Sequence, residues 1–241
     1  MVTQPGSEVL SFAAPPMAAL LETVETETGP SPRAAIVWMH GLGADGHDFA
    51  PIVPELTLPG PVRFVFPHAP MRAVTINSGA VMRAWYDIRA VGGERREDED
   101  GVRASQGQIE ALIAREQARG VAPDRMVLAG FSQGGAMALH TGLRQPERLA
   151  GILALSCALP LADRLAAEAS PANRDVPIFM AHGTHDDVIP LARARRAYET
   201  LVALGWAVEW HDYRMAHAVC RAEIDDISTW LGARLNLSPR S

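Results

Sequence analysis

The sequence predicts one α/β domain built on a mostly parallel sheet with helices on both faces. Three observations carry this. The runs "RMVLAG", "GILALS" and "PIFMAHG" are continuously apolar over strand length, as strands covered on both faces must be. Between them lie helical stripes: Leu191, Ala194, Tyr198, Leu201 and Val202 share one face, and Ile224, Ile227, Leu231 and Leu235 share another. No repeat or linker divides the 241 residues, so 1–241 is expected as a single domain, with residues 1–17 a loosely ordered lead.

The elements follow in order. Residues 19–27, "ALLETVETE", and 33–40, "RAAIVWMH", are strand-like and separated by the turn cluster "TGPSP", which predicts an antiparallel opening hairpin. "VRFVFP" is a third strand, closed by Pro67. Residues 68–82 read as irregular, and "RAWYDI" after them has aromatic and β-branched character. The charged run "GERREDEDG" reads as a solvated loop. A helix is expected from Ser105, where Ile109, Leu112 and Ile113 fall on one face. "WAVEWHDY" alternates as a strand does before the last helix.

Composition narrows the function classes. Hydrophobic content of 48% and charged content of 21% allow a sizeable core. A net charge of −6 argues against nucleic-acid or anionic-membrane partners. Two cysteines, Cys157 and Cys220, suggest free thiols in a reducing compartment rather than a disulfide scaffold. No leader, lipidation motif or membrane-length apolar run is visible, so a cytoplasmic protein without stable membrane insertion is expected. The oligomeric state stays open, a homodimer included.

In an open α/β sheet, functional residues gather just beyond the carboxyl ends of strands. "GFSQG", residues 130–134, matches G-x-S-x-G between an apolar strand and a helix, the pattern that lifts a serine onto a sharp elbow. Ser132 is the candidate nucleophile. A serine hydroxyl needs a histidine base oriented by a carboxylate, and in the α/β-hydrolase arrangement the chain order is Ser, acid, His. Asp186 and Asp187 follow "PIFMA", and His217 follows "WAVEWHDY". His47, His68 and His140 are misplaced for a base, and His211 lies within a strand. His182 and His185 sit too close to the acids, with His182 expected to brace their turn. Spacing alone leaves the two acids undecided.

The developing oxyanion needs two backbone amides. Gln133, after the nucleophile, supplies one; Leu42, between Gly41 and Gly43 in "MHGLGADGHDF", is the natural second. The spacing of His182 and His185 beside two acids superficially suggests a metal cluster, but their turn is accounted for by the acid loop, and neither metal nor cofactor is expected.

The stretches "HGLGADGHDF", "PHAPMRAVTINSGAVMRAWYDI", "GFSQGGAMAL", "HGTHDDVIP" and "MAHAVC" together resemble the bacterial carboxylesterases related to acyl-protein thioesterases and lysophospholipases. The similarity runs from residue 40 to residue 220 and implies an α/β-hydrolase fold. It also implies that Asp186 is the acid and Asp187 the runner-up. Trp85 and Met71 are implied to line the acyl pocket. The sequence departs from the commonest pattern at Ser78 and in "HGTHDD". The function expected is hydrolysis of small carboxylic esters of short or medium acyl chain. Thioesterase or lysophospholipase activity is the nearest alternative, and a non-catalytic ligand-binding relative the more distant one. Cys220, three residues past His217, is expected to respond to bulky thiol reagents.

Overall fold

The computed structural model describes residues 20–91 and 94–235. The predicted loose lead, residues 1–17, lies outside the described residues. In chain order the strands are β1 (Thr23–Glu27), β2 (Ala34–Met39), β3 (Val62–Pro67), β4 (Met71–Val74), β5 (Ala80–Arg83), β6 (Ile88–Val91), β7 (Glu94–Glu97), β8 (Met126–Phe131), β9 (Gly151–Leu155), β10 (Ile178–Gly183) and β11 (Val208–Tyr213). The α-helices are α1 (Glu99–Ala118), α2 (Gln133–Gly142), α3 (Ala162–Glu168), α4 (Leu191–Ala203) and α5 (Arg221–Arg234).

Seven strands form one sheet in the order β1-β3-β2-β8-β9-β10-β11. Every pairing is parallel except β1 with β3. Strands β2, β3, β8, β9 and β10 are buried almost throughout, which explains their unbroken apolar sequence. Alternate side chains divide the core. Val37, Met39, Leu128 and Met180 pack with Ile109 and Leu112 of α1 and with Met137 of α2. Ile36, Phe64, Val127 and Phe179 pack with Ile227 and Trp230 of α5. The fold is that of the α/β hydrolases.

The opening antiparallel pair differs from the hairpin read from the sequence. β1 lies beside β3, with Thr23 opposite Pro67, and not beside β2. All six residues of β2 are buried and need neighbours on both edges, whereas the half-exposed, polar-alternating β1 suits the sheet's rim. An ion network centred on buried Glu116 and reaching the surface at Glu25 fastens it there. Glu116 of α1 is fully buried and meets Arg63 of β3 at 2.9 Å, Arg115 at 2.9 Å and Arg119 at 2.9 Å; Glu25 of β1 binds Arg115 and Arg119, each at 2.8 Å.

Two further departures lie near residues 68–101. The stretch read as irregular contains the antiparallel ribbon β4-β5, in which Met71 faces Arg83. The charged run forms β7, paired to β6, and then opens α1 at Glu99, six residues before the expected start. Asp98 in that run is buried rather than solvated. It accepts the Asp87 amide at 3.1 Å and an Arg89 N–H at 3.3 Å, so its charge is spent on internal bonds.

Candidate active site

The serine elbow is built by crowding. Ser132 follows β8 directly, opens α2 and holds φ 55°, ψ −119°, a conformation costly for any residue with a Cβ. Its amide donates to the Leu155 carbonyl at 2.8 Å, and its carbonyl accepts from Ala136 at 3.0 Å, so both neighbouring elements clamp the turn. A Cβ on Gly134 would lie 2.1 Å from the Met39 carbonyl oxygen. Only glycine lets α2 approach β2 this closely.

The acid loop follows β10. Asp186 is buried, and its Oδ1 accepts the amides of Val188 at 2.9 Å and Ile189 at 2.8 Å. Its Oδ2 is thereby aimed at His217 Nδ1, 2.7 Å away. Asp187 points outward and is exposed, so the geometry separates the two adjacent acids. His182 is buried against the Ile189 carbonyl at 2.8 Å, and burial holds its pKa below the ordinary histidine value. The neutral ring therefore donates to that carbonyl and braces the turn, as its position in the sequence suggests.

His217 sits past the end of β11. Its Nε2 lies 2.9 Å from Ser132 Oγ, which completes a continuous line from Asp186 through His217 to Ser132. Phe131 packs against the imidazole at a 45° tilt, with ring centroids 4.6 Å apart. The acid and histidine loops are tied together by Thr184 N–H to Tyr213 O at 2.8 Å and His185 N–H to Met215 O at 3.0 Å. Gly183 matters here: a Cβ would meet the Ala216 carbonyl at 2.3 Å and push the histidine loop away.

A cavity of about 260 Å³ opens beside Ser132 and is lined also by Leu42 and Gln133. Gln133 is the first residue of α2, where free amides and the positive end of the helix dipole gather. The remaining wall is largely apolar, with Ile76, Tyr86, Ile88, Pro160, Val188 and Ile189. Met71 and Trp85 are not on that wall. Met71 is 59% exposed on β4, and Trp85 is fully buried, its indole N–H donating to the His40 carbonyl at 2.9 Å. Trp85 packs behind the wall because its ring fills the core between β2 and α1, and its neighbour Tyr86 takes the facing position.

Two supporting roles escaped the sequence reading, that of His40 and that of the Gln133 side chain. His40, fully inside, accepts the Ala69 amide on Nε2 at 3.0 Å and donates from Nδ1 to the Gly41 carbonyl at 2.6 Å; burial pushes its pKa down to about 4. It shapes the turn carrying Leu42. The side chain of Gln133 bonds the backbone of Trp85 and Tyr86. The available signal was position alone: both flank the ends of buried strands. Of the two thiols, Cys157 is buried and burial pushes it up to about 12, while Cys220 is partly exposed at the N-cap of α5.

Among the described residues no helix is long and apolar enough to cross a membrane. Residues 21–235 match the family model described as phospholipase/carboxylesterase. Acyl-protein thioesterase 1 from Gibberella zeae is 38% identical over 219 residues, covering 86% of this chain and 92% of the relative. Its counterpart from Neurospora crassa is 40% identical over 214 residues, covering 84% and 87%. The crystal structure of Zea mays acyl-protein thioesterase 2 superposes with a TM-score of 0.78 at 29% identity, covering 89% of this chain and all of that one. With sheet order, elbow and loops agreeing with this similarity over nearly the whole described chain, the protein belongs to the phospholipase/carboxylesterase family of α/β-hydrolase-fold proteins.

Proposed function

We propose that the protein hydrolyses carboxylic esters of short or medium acyl chain through a Ser132 acyl-enzyme. One observation carries the reading: the unbroken line Asp186–His217–Ser132 ends at a cavity shared with Leu42 and Gln133. His217 Nε2 takes the Ser132 proton as Oγ attacks the acyl carbon, and Asp186 stabilises the imidazolium. The amides of Leu42 and Gln133 hold the tetrahedral oxyanion, each worth about 2.7–4 kcal/mol. His217 then protonates the leaving oxygen. Water, deprotonated by His217, cleaves the acyl-enzyme and frees the acid and Ser132. No metal or cofactor takes part in these steps.

The cavity volume of about 260 Å³, small for a ligand pocket, supports a modest acyl chain. A thioesterase reading uses the same groups and is favoured by the names of the relatives. The test is hydrolysis of nitrophenyl esters from about two to sixteen carbons and of matched thioesters, by wild type and Ser132→Ala. Loss of all hydrolysis in the variant is expected; retention of most of it overturns the mechanism. Labelling by a fluorophosphonate anywhere but Ser132 does the same. Faster turnover of thioesters than of matched esters selects the second reading.

A further inference from the structure

His217 has two sides, and the mechanism above uses only one. A second depression, about 460 Å³, shares no lining residue with the cavity at Ser132 and is walled by His217 itself. Its apolar surface comes from Phe49, Ile52, Phe131 and Ile224. Asp48 and Glu55 stand at the edge. Resting on the serine-hydrolase reading, we propose that this groove is the leaving-group subsite, and that it selects alcohols or thiols bearing an apolar body and a positive charge.

The chemistry dictates the placement. In acylation the bond between the acyl carbon and the leaving oxygen or sulfur breaks, and that atom receives the proton His217 took from Ser132. The leaving atom must therefore come within hydrogen-bond reach of Nε2. The acyl half is claimed by the cavity containing Ser132, Leu42 and Gln133. Whatever is attached to the leaving atom starts at His217, which is also part of the wall of the second groove.

The charge preference follows from the acids. Glu55 pairs with Arg221 at 2.6 Å, and Arg221 is shared with Asp225 at 3.0 Å, so this trio keeps one negative charge. Asp48 has no ion-pair partner among the described residues, and Asp45 is close enough to repel it. Phe131 and Phe49, with ring centroids 5.5 Å apart, present aromatic surface on which a cation also gains. An anionic leaving group meets an edge of net negative charge here.

Butanoyl thiocholine and its neutral isostere, the butanoyl thioester of 3,3-dimethylbutanethiol, test this directly. The readout is the ratio of their kcat/KM values, compared between proteins so that intrinsic thiol acidity cancels. Asp48→Asn is expected to lower the cationic-to-neutral ratio about threefold and Asp48→Lys about tenfold, both effects shrinking in high salt. Ala218→Phe, which narrows the groove, is expected to penalise longer leaving groups while the optimum acyl length stays where it was. An unchanged ratio in all three proteins overturns the charge preference. A shift of the acyl-length optimum in Ala218→Phe gives the groove to the acyl chain and overturns the subsite. Failure of the serine mechanism looks different: phosphonate on another residue, or hydrolysis surviving Ser132→Ala.

Discussion

The side chain of Gln133 bridges the backbone on either side of one peptide: Oε1 accepts the Trp85 amide at 2.8 Å and Nε2 donates to the Tyr86 carbonyl at 2.7 Å. One residue thus contributes an amide beside the nucleophile and fixes the opposite wall of the cavity. Replacing it with leucine keeps the backbone N–H but leaves the buried Trp85 amide without its acceptor. Gln133→Leu should lose about 1–3 kcal/mol of stability and drop kcat/KM roughly tenfold. Chemical denaturation and steady-state kinetics read the two effects separately.

Ser132 holds a backbone angle that suits glycine. Ser132→Gly should therefore unfold at higher denaturant, by about 1 kcal/mol, while abolishing hydrolysis. Ser132→Ala abolishes hydrolysis as fully without the gain in stability. Equal stability of the two variants would show that the elbow stores no strain.

The two adjacent acids should separate in kinetics. Asp186→Asn removes the charge that orients His217 and is expected to lower kcat about 10⁴-fold. Asp187→Asn, on an exposed side chain, should change it less than about twofold.

Glu223 is fully buried in the first turn of α5, six residues beyond His217. The Cys220 amide favours its carboxylate, yet neither oxygen has a hydrogen bond of proper geometry, and burial prevails, raising the pKa to about 8. A carboxyl raised above its unfolded value stabilises the fold at low pH, and that contribution fades as pH climbs from about 4.5 through about 8. Glu223→Gln should therefore flatten the decline in stability across this window, with its largest advantage above pH 8. Thermal melts of both proteins from acid to alkaline pH provide the comparison, and parallel curves would contradict it.

Glu116 is the shared anion of three arginines. Glu116→Ala takes one of the two anions of buried Arg63, which keeps Glu27 of β1 at 2.8 Å, so a loss of about 1.5–3 kcal/mol is expected in urea unfolding. The cost should fall on the β1–β3 edge first, readable by amide exchange at Val24 and Phe66.

What could be read from the sequence was what local chemistry controls. The elbow, the acid turn and the histidine loop each follow an apolar strand, and Ser132, Asp186 and His217 meet as their order implies. Long-range choices were hidden. The partner of β1 is decided by which strand needs two neighbours, a property of the assembled sheet. Asp98 looked solvated because a run of charges has no periodicity, while its real partners lie on a ribbon formed only after folding. Trp85 and Tyr86 are adjacent in sequence, and composition gives no reason for one to face the core and the other the cavity.

The unequal thiols have a practical consequence. With Cys157 sealed in the core and its pKa held near 12, a maleimide dye should couple at Cys220 alone. That position lies on the segment joining His217 to α5 and next in sequence to Val219, which lines the leaving-group groove. The native chain thus carries a ready attachment point for a fluorophore, whose emission would report occupancy of the groove during turnover without any engineered cysteine.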